Sequence, residues 1–128
     1  MNKRSLLLVG ALVCGALIYS GFRAFPLLML DGASAELFLL WLDDPTQYSN
    51  GYSHSKFRSV DIGMTESEVK ALLGDPMSER NSTSPRVPWD TCWSYSNAGP
   101  HVSETGRARD IFLRGGVVVE IGTGPWLD

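Results

Sequence analysis

The side chains of this chain that could do chemistry are few and far apart. His54 and His101 are the only histidines, and Cys14 and Cys92 the only cysteines. His101 could approach Glu104 within one loop, but a metal site needs further ligands nearby, and none is placed to help. Cys14 lies in an apolar run and Cys92 in an expected strand, so their Cα atoms should not come within the roughly 7 Å that a disulfide requires. Cys92 then behaves as a small buried hydrophobe. Neither a nucleophile elbow, a phosphate loop nor a dinucleotide fingerprint occurs. Asp61 and Glu66 could be paired carboxylates, but Glu66 is explained more simply by complementing a helix dipole. No catalytic residue, metal or cofactor is expected.

Recognition is a richer possibility. Arg107, Arg109 and Arg114 could form a basic edge facing anionic lipid or a partner's carboxylates, although protection of an edge strand explains them more simply. Trp89 follows Pro88 and Trp126 follows Pro125, both outside clear strands. An exposed Trp is a binding anchor, whereas a small domain short of core material folds such rings in. The candidate interaction residues are therefore Trp89, Arg107, Arg109 and Trp126. Asn81-Ser82-Thr83 fits the glycosylation pattern, which has meaning only in a eukaryotic secretory setting. A net charge of -3 leaves no basic footprint, so nucleic acid is not an expected partner.

The elements that must carry these residues begin with a membrane signal. Lys3 and Arg4 precede Ser5–Phe22, an uncharged run of roughly 18 residues that just meets the length needed to span a bilayer. Basic residues before the run and Asp31, Glu36, Asp43 and Asp44 after it place the N-terminus in the cytoplasm and the rest across the membrane. Residues 1–23 are read as a membrane anchor or signal segment. Cleavage after the small triplet Ala33-Ser34-Ala35 is one alternative. Lipidation at Cys14 is another, although β-branched Val13 stands where a small residue is required. A second pass through residues 24–42 would bury the charges of Asp31 and Glu36 in lipid at a cost of several kcal/mol. Leu37–Leu42 instead forms a short helix, either lying in the membrane interface with Trp41 at headgroup depth or packed on the domain. Residues 24–56 are thus an interfacial helix and a tether, the tether marked by the Asn50-Gly51 turn and the absence of any hydrophobic period.

The folded domain is expected over 57–128. Gly63-Met64-Thr65-Glu66-Ser67-Glu68-Val69 carries a full helix start. Thr65 at the N-cap and Glu68 form a capping box, and Met64 with Val69 forms a hydrophobic staple. The helix runs from Glu66 to Leu73, ends at Gly74 in a left-handed conformation and is blocked by Pro76. A shorter turn around His54–Val60 offers Phe57 and Val60 to the same core. Strands follow: Cys92-Trp93-Ser94-Tyr95, with Trp93 and Tyr95 on one face, then 109–114 and 117–121 around Gly115-Gly116. The hairpin register is open, so either Phe112 or the pair Ile111 and Leu113 faces the helix. Asn97–Arg107 reads as a long polar loop.

Taken together, Val60-Asp61-Ile62-Gly63-Met64-Thr65, Val69, Leu73-Gly74-Asp75-Pro76, Trp93-Ser94-Tyr95 and Phe112-Leu113-Arg114-Gly115-Gly116-Val117 resemble the motif of the SmpA/OmlA (BamE-like) domain family. The resemblance covers about residues 57–121. It implies an α+β fold, two short helices packed on a three-stranded antiparallel sheet, here preceded by an N-terminal transmembrane helix. It also implies an envelope location and protein–protein contact with another envelope protein. The expected function is that of a non-enzymatic, membrane-tethered interaction or scaffolding domain. The alternative is a small periplasmic ligand-binding or enzymatic domain that uses the 97–107 loop.

Overall fold

The computed structural model describes residues 3–99 and 105–126. His101, Glu104 and the middle of the polar loop therefore lie outside the described residues. The element order is α1 (Lys3–Asp31), α2 (Ala33–Trp41), α3 (His54–Phe57), α4 (Glu66–Leu73), β1 (Ser78–Asn81), β2 (Thr91–Ser94), β3 (Gly106–Arg114) and β4 (Val117–Trp126). The class is α+β as expected, but the antiparallel sheet has four strands in the order β1-β2-β3-β4, not three. The additional strand β1 reads Ser-Glu-Arg-Asn and is exposed at every position. It has no alternating pattern to detect, because backbone pairing with β2, Glu79 opposite Trp93, is what defines it.

Helix α4 forms for the local reasons its sequence announces. The Thr65 N–H donates to Glu68 Oε2 at 2.8 Å, and the Glu68 N–H donates to Thr65 Oγ1 at 3.4 Å, completing the capping box. The two bonds to Thr65 hold the Glu68 carboxyl below its ordinary range. Gly74 ends the helix at φ 78°, where a Cβ would also lie 2.9 Å from the Asn50 carbonyl oxygen. Its own carbonyl accepts from the Tyr95 hydroxyl at 3.1 Å, which fastens the helix end to the sheet. At the other end the Gly63 N–H donates to Val118 O and the Val118 N–H to Met64 O, both at 2.8 Å. A two-turn helix too short to persist alone is thus pinned at both termini.

The hairpin loop is Gly115-Gly116, with φ of 57° and 78°. That register resolves the open face. Ile111 and Leu113 face the helices with Trp93 and Tyr95, in one core with Phe57, Val60, Val69, Leu73 and Val118. Phe112 stands on the opposite face, its ring 5.4 Å from that of Trp89. β4 continues past Ile121 to Trp126, and β3 opens at Gly106, so Arg107 belongs to a strand rather than to a loop.

Two boundaries differ from expectation. The N-terminal helix does not end near residue 23 but continues to Asp31, where Leu30 packs against the sheet core and its carbonyl accepts from the Thr123 hydroxyl at 3.4 Å. The stretch expected to be a tether is also part of the fold. Tyr48 bridges Ser96, the Ser49 N–H donates to Tyr95 O at 3.1 Å, and the Asn97 N–H donates to Gln47 O at 3.0 Å. Sequence periodicity misses this segment because backbone bonds and scattered polar and aromatic contacts, not a repeating apolar pattern, hold it in place.

The Thr65 cap makes the first prediction. Thr65→Ala should lower stability by about 1 kcal/mol, read as a lower unfolding midpoint in thermal or denaturant melts. An unchanged midpoint would show that the capping box contributes nothing once the strand contacts around Val118 are made.

Candidate functional site

β3 is an interior strand, so successive odd positions from Arg107 to Leu113 turn toward the helices. Ile111 and Leu113 meet apolar neighbours there, but Arg107 and Arg109 bring two guanidinium groups into the same buried layer. The basic edge expected from Arg107, Arg109 and Arg114 is therefore corrected. Only Arg114 is exposed, and it reaches the Val87 carbonyl at 3.4 Å. Arg109 is fully buried and Arg107 nearly so.

Burial of a cation demands partners, and the N-terminal helices provide them. Arg109 donates through Nη1 and Nη2 to the two carboxylate oxygens of Asp31 at 3.0 and 2.8 Å, a bidentate fork at the last residue of α1. Arg107 makes a second fork with Glu36 of α2, at 2.9 and 2.8 Å, and also pairs with Asp44. Its Nε lies 3.7 Å from Asp31. The Arg107 backbone N–H donates to Thr46 Oγ1 at 2.8 Å, and Thr46 in turn bonds Asp44. Two cations thus face three carboxylates in a layer between the membrane-length helix and the sheet. Burial works hardest against charge on Arg109, yet the bonds and charge of Asp31 together with Tyr52 and Tyr48 offset it and its pKa is raised.

A polar chain leads outward from Arg109. Its Nε donates to the Tyr52 hydroxyl at 3.2 Å, and that hydroxyl lies 2.9 Å from His54 Nδ1. Arg can only donate, so the Tyr52 hydroxyl accepts from Arg109 and is left able to donate its own proton to an unprotonated His54 Nδ1. Burial first, and the Arg109 charge second, push His54 down to about 4. Tyr52 is pushed up to about 12, again mainly by burial. Tyr48 stacks on Tyr52 with ring centroids 4.6 Å apart, and burial raises its pKa too. His54, Tyr52 and Arg109 resemble a proton relay in composition. Each member, however, is satisfied by the next, and the cluster's work is to compensate buried charge.

The other expected residues fall in separate places. Cys14 is exposed on α1 and Cys92 buried on the outer face of the sheet, where burial pushes its thiol up to about 12 and keeps it protonated. Beside it the Ser94 hydroxyl donates to Asp110 at 2.6 Å, and burial raises the Asp110 pKa. Trp89 is half-buried between Phe112 and the Arg80 guanidinium, 5.1 Å from its ring. Trp126 ends β4, half-buried, with its indole N–H buried and unpaired among the described residues. Gly63, Met64, Thr65, Glu68, Val69, Leu73, Gly74, Pro76, Trp93, Tyr95, Gly115 and Val117 serve the caps, turns and core of the α4–sheet unit. Among the described residues no group of three or more His, Cys, Asp or Glu side chains could hold a metal ion. Sequence reasoning missed Asp31, Glu36, Asp44 and Tyr52 as partners of the arginines. The signal available was the odd-position alternation of β3, which puts Arg107 and Arg109 on the face of Ile111 and Leu113. No family model matches the chain, and no curated protein matches it.

Two predictions arise from the cluster. Asp31→Ala should strand Arg109 in the interior and cost about 3–5 kcal/mol, measured as a lower melting temperature of the detergent-solubilised chain. Combining it with Arg109→Met should recover much of the loss; simple additivity would show that the pair does not interact as described. The second concerns pH. Above about pH 6.5 His54 is neutral whether the chain is folded or not. Between 6.5 and about 4 the unfolded chain takes up a proton that the folded one resists, so stability falls as pH drops through that window and levels off below it. His54→Gln should flatten that part of the stability profile relative to the parent chain, and parallel profiles would refute the effect.

Proposed function

We propose that this chain is a membrane-anchored bacterial envelope protein whose periplasmic domain holds a partner envelope protein at a set height above the bilayer. Helix α1 contains a stretch, Leu8–Asp31, long and apolar enough to cross a membrane. The observation that carries the proposal is the buried Asp31–Arg109 fork, which makes the end of that helix part of the domain. A flexible tether suits a domain that searches for its partner; a helix built into the domain suits one that positions it.

The fork also favours a retained anchor over a cleaved signal. Cutting after Ala35 would remove Asp31 and Leu30, leaving Arg109 buried without its carboxylate. Retention with Lys3 and Arg4 in the cytoplasm gives inner-membrane attachment, the periplasmic alternative to an outer-membrane lipoprotein or a secreted domain. The SmpA/OmlA-like order of capped helix, Trp-x-Tyr strand and Gly-Gly hairpin supports a contact role in envelope assembly. The ligand-binding or enzymatic alternative would use the 97–107 loop, of which residues 100–104 lie outside the described residues.

We put the partner surface at the end of the sheet away from the anchor. β3 starts at the anchor with Arg107 and ends at the Gly115-Gly116 turn, and beside that turn Ile62 is 71 % exposed. Strand β1 adds an outer edge open to pairing, with Met77 exposed before it. Photo-crosslinking residues at 62 and 77, activated in native membranes, should each capture an envelope protein. A reporter fused after Asp128 should be active only outside the cytoplasm. The absence of adducts at both sites would overturn the scaffolding role, and a cytoplasmic reporter signal would overturn the topology.

A further inference from the structure

We infer that α2 is a foot that lies in the headgroup region of the same bilayer α1 crosses, with Arg23 on an anionic lipid phosphate. The inference rests on α1 being a retained membrane helix, and it adds a second, separate membrane contact.

Its starting point is the direction of α2. Gly32, at φ 81°, turns the chain immediately after Asp31. The groove of about 510 Å³ that follows is lined by Tyr19, Ser20, Arg23 and Leu27 of α1 together with Glu36 and Leu40 of α2. Leu40 therefore lies beside residues that precede Asp31 by eight to twelve positions, so α2 folds back along α1 toward the membrane. At 1.5 Å per residue, Arg23 sits about 12 Å below Asp31, and nine residues of α2 return about 13 Å. The C-terminal end of α2 reaches the level where the uncharged run Ser5–Phe22 gives way to Arg23.

The faces of α2 are divided to match. Glu36 and Leu39 are buried toward the domain, Glu36 in its fork with Arg107. Leu37, Leu40 and Trp41 are 69, 68 and 79 % exposed, and Phe38, 41 % exposed, stacks on Trp41. A soluble surface would not concentrate two Leu, a Phe and a Trp on nine residues. An aromatic-rich, uncharged face continuous with a spanning helix is what the acyl–headgroup boundary accepts, with Trp at the interface. Arg23 has no ion-pair partner among the described residues and sits beside Leu40 at that depth. A guanidinium there is matched by a phosphate, and an anionic lipid supplies the net charge.

The test uses the full chain and its Trp41→Phe variant in vesicles of phosphatidylglycerol and phosphatidylcholine, the latter brominated near the headgroup end of its acyl chains. Trp89, Trp93 and Trp126 belong to the sheet domain and serve as the unquenched background. Bromolipid should quench part of the parent emission, and Trp41→Phe should lose that part. Arg23→Gln should abolish any gain in quenching when phosphatidylglycerol is added. If the chain floats with the vesicles but the two proteins quench identically, the foot is refuted and the anchor stands. A Trp41 emission that is blue-shifted yet unquenched would assign the face to a protein neighbour and likewise refute it. A chain that does not float with vesicles loses both anchor and foot.

Discussion

A guanidinium with no access to water is the constraint around which this molecule is arranged. Arg109 sits on the core face of an interior strand, and no backbone carbonyl alone can neutralise it. Asp31 does so with two parallel bonds, and Asp31 is the final residue of α1. The charge of the domain is therefore balanced by the helix that leads to it. Arg107 repeats the device with Glu36 and Asp44, so each of three successive N-terminal segments contributes a carboxylate to the same layer. Such a layer contributes little net stability compared with apolar packing of equal size, but it strongly disfavours alternatives, because any other seating of α1 leaves charges unpaired. It specifies orientation where Leu30 against the core would permit sliding.

That same layer marks the limit of what could be read from sequence. Helix α4 was legible because its determinants are local: Thr65, Glu68 and Gly74 act within a turn of where they stand. The Gly115-Gly116 hairpin was legible for the same reason, although only the observed register puts Ile111 and Leu113 on the inside and Phe112 opposite Trp89. Strand β1 was not, since Ser78–Asn81 carries no apolar residue to show which face is in. The segment 46–53 was not, since its bonds to Tyr95 and Asn97 run across more than forty residues of chain and use its own backbone groups. The arginine partners are the most instructive case. Asp31 and Glu36 looked like obstacles to a membrane span, and Arg107 and Arg109 like an exposed basic edge; only strand alternation combined with a definite register reveals that they cancel. Long-range charge pairing leaves no periodic trace, so it is recovered only after the fold is known.

The outer face of the sheet follows a different rule. There Cys92, Ser94 and Asp110 are buried, and Asp110 accepts from the Ser94 hydroxyl at 2.6 Å. Burial raises the Asp110 pKa, and the Ser94 hydrogen bond with the charges of Arg80 and Arg109 offsets that rise only in part. The face joined to α1 carries bidentate ion pairs, whereas on the outer face a buried, hydrogen-bonded acid stands beside a buried thiol.

The geometry of α1 also weighs against the remaining fate of the N-terminus, lipidation at Cys14. Residues from about Ala24 to Asp31 engage the domain, through Phe25 under the Arg58 guanidinium and through Leu30 and Asp31. An acylated Cys14 would leave Cys14–Arg23, ten residues or about 15 Å of helix, between lipid and domain. That is half a hydrocarbon core, too short to span and too apolar to stand in water, since Leu17, Ile18, Tyr19 and Phe22 are all widely exposed. The whole apolar run, from Ser5 onward, is the length that a bilayer can cover. On the proposed retained anchor, the domain's grip on the last two turns would begin just where the lipid ends.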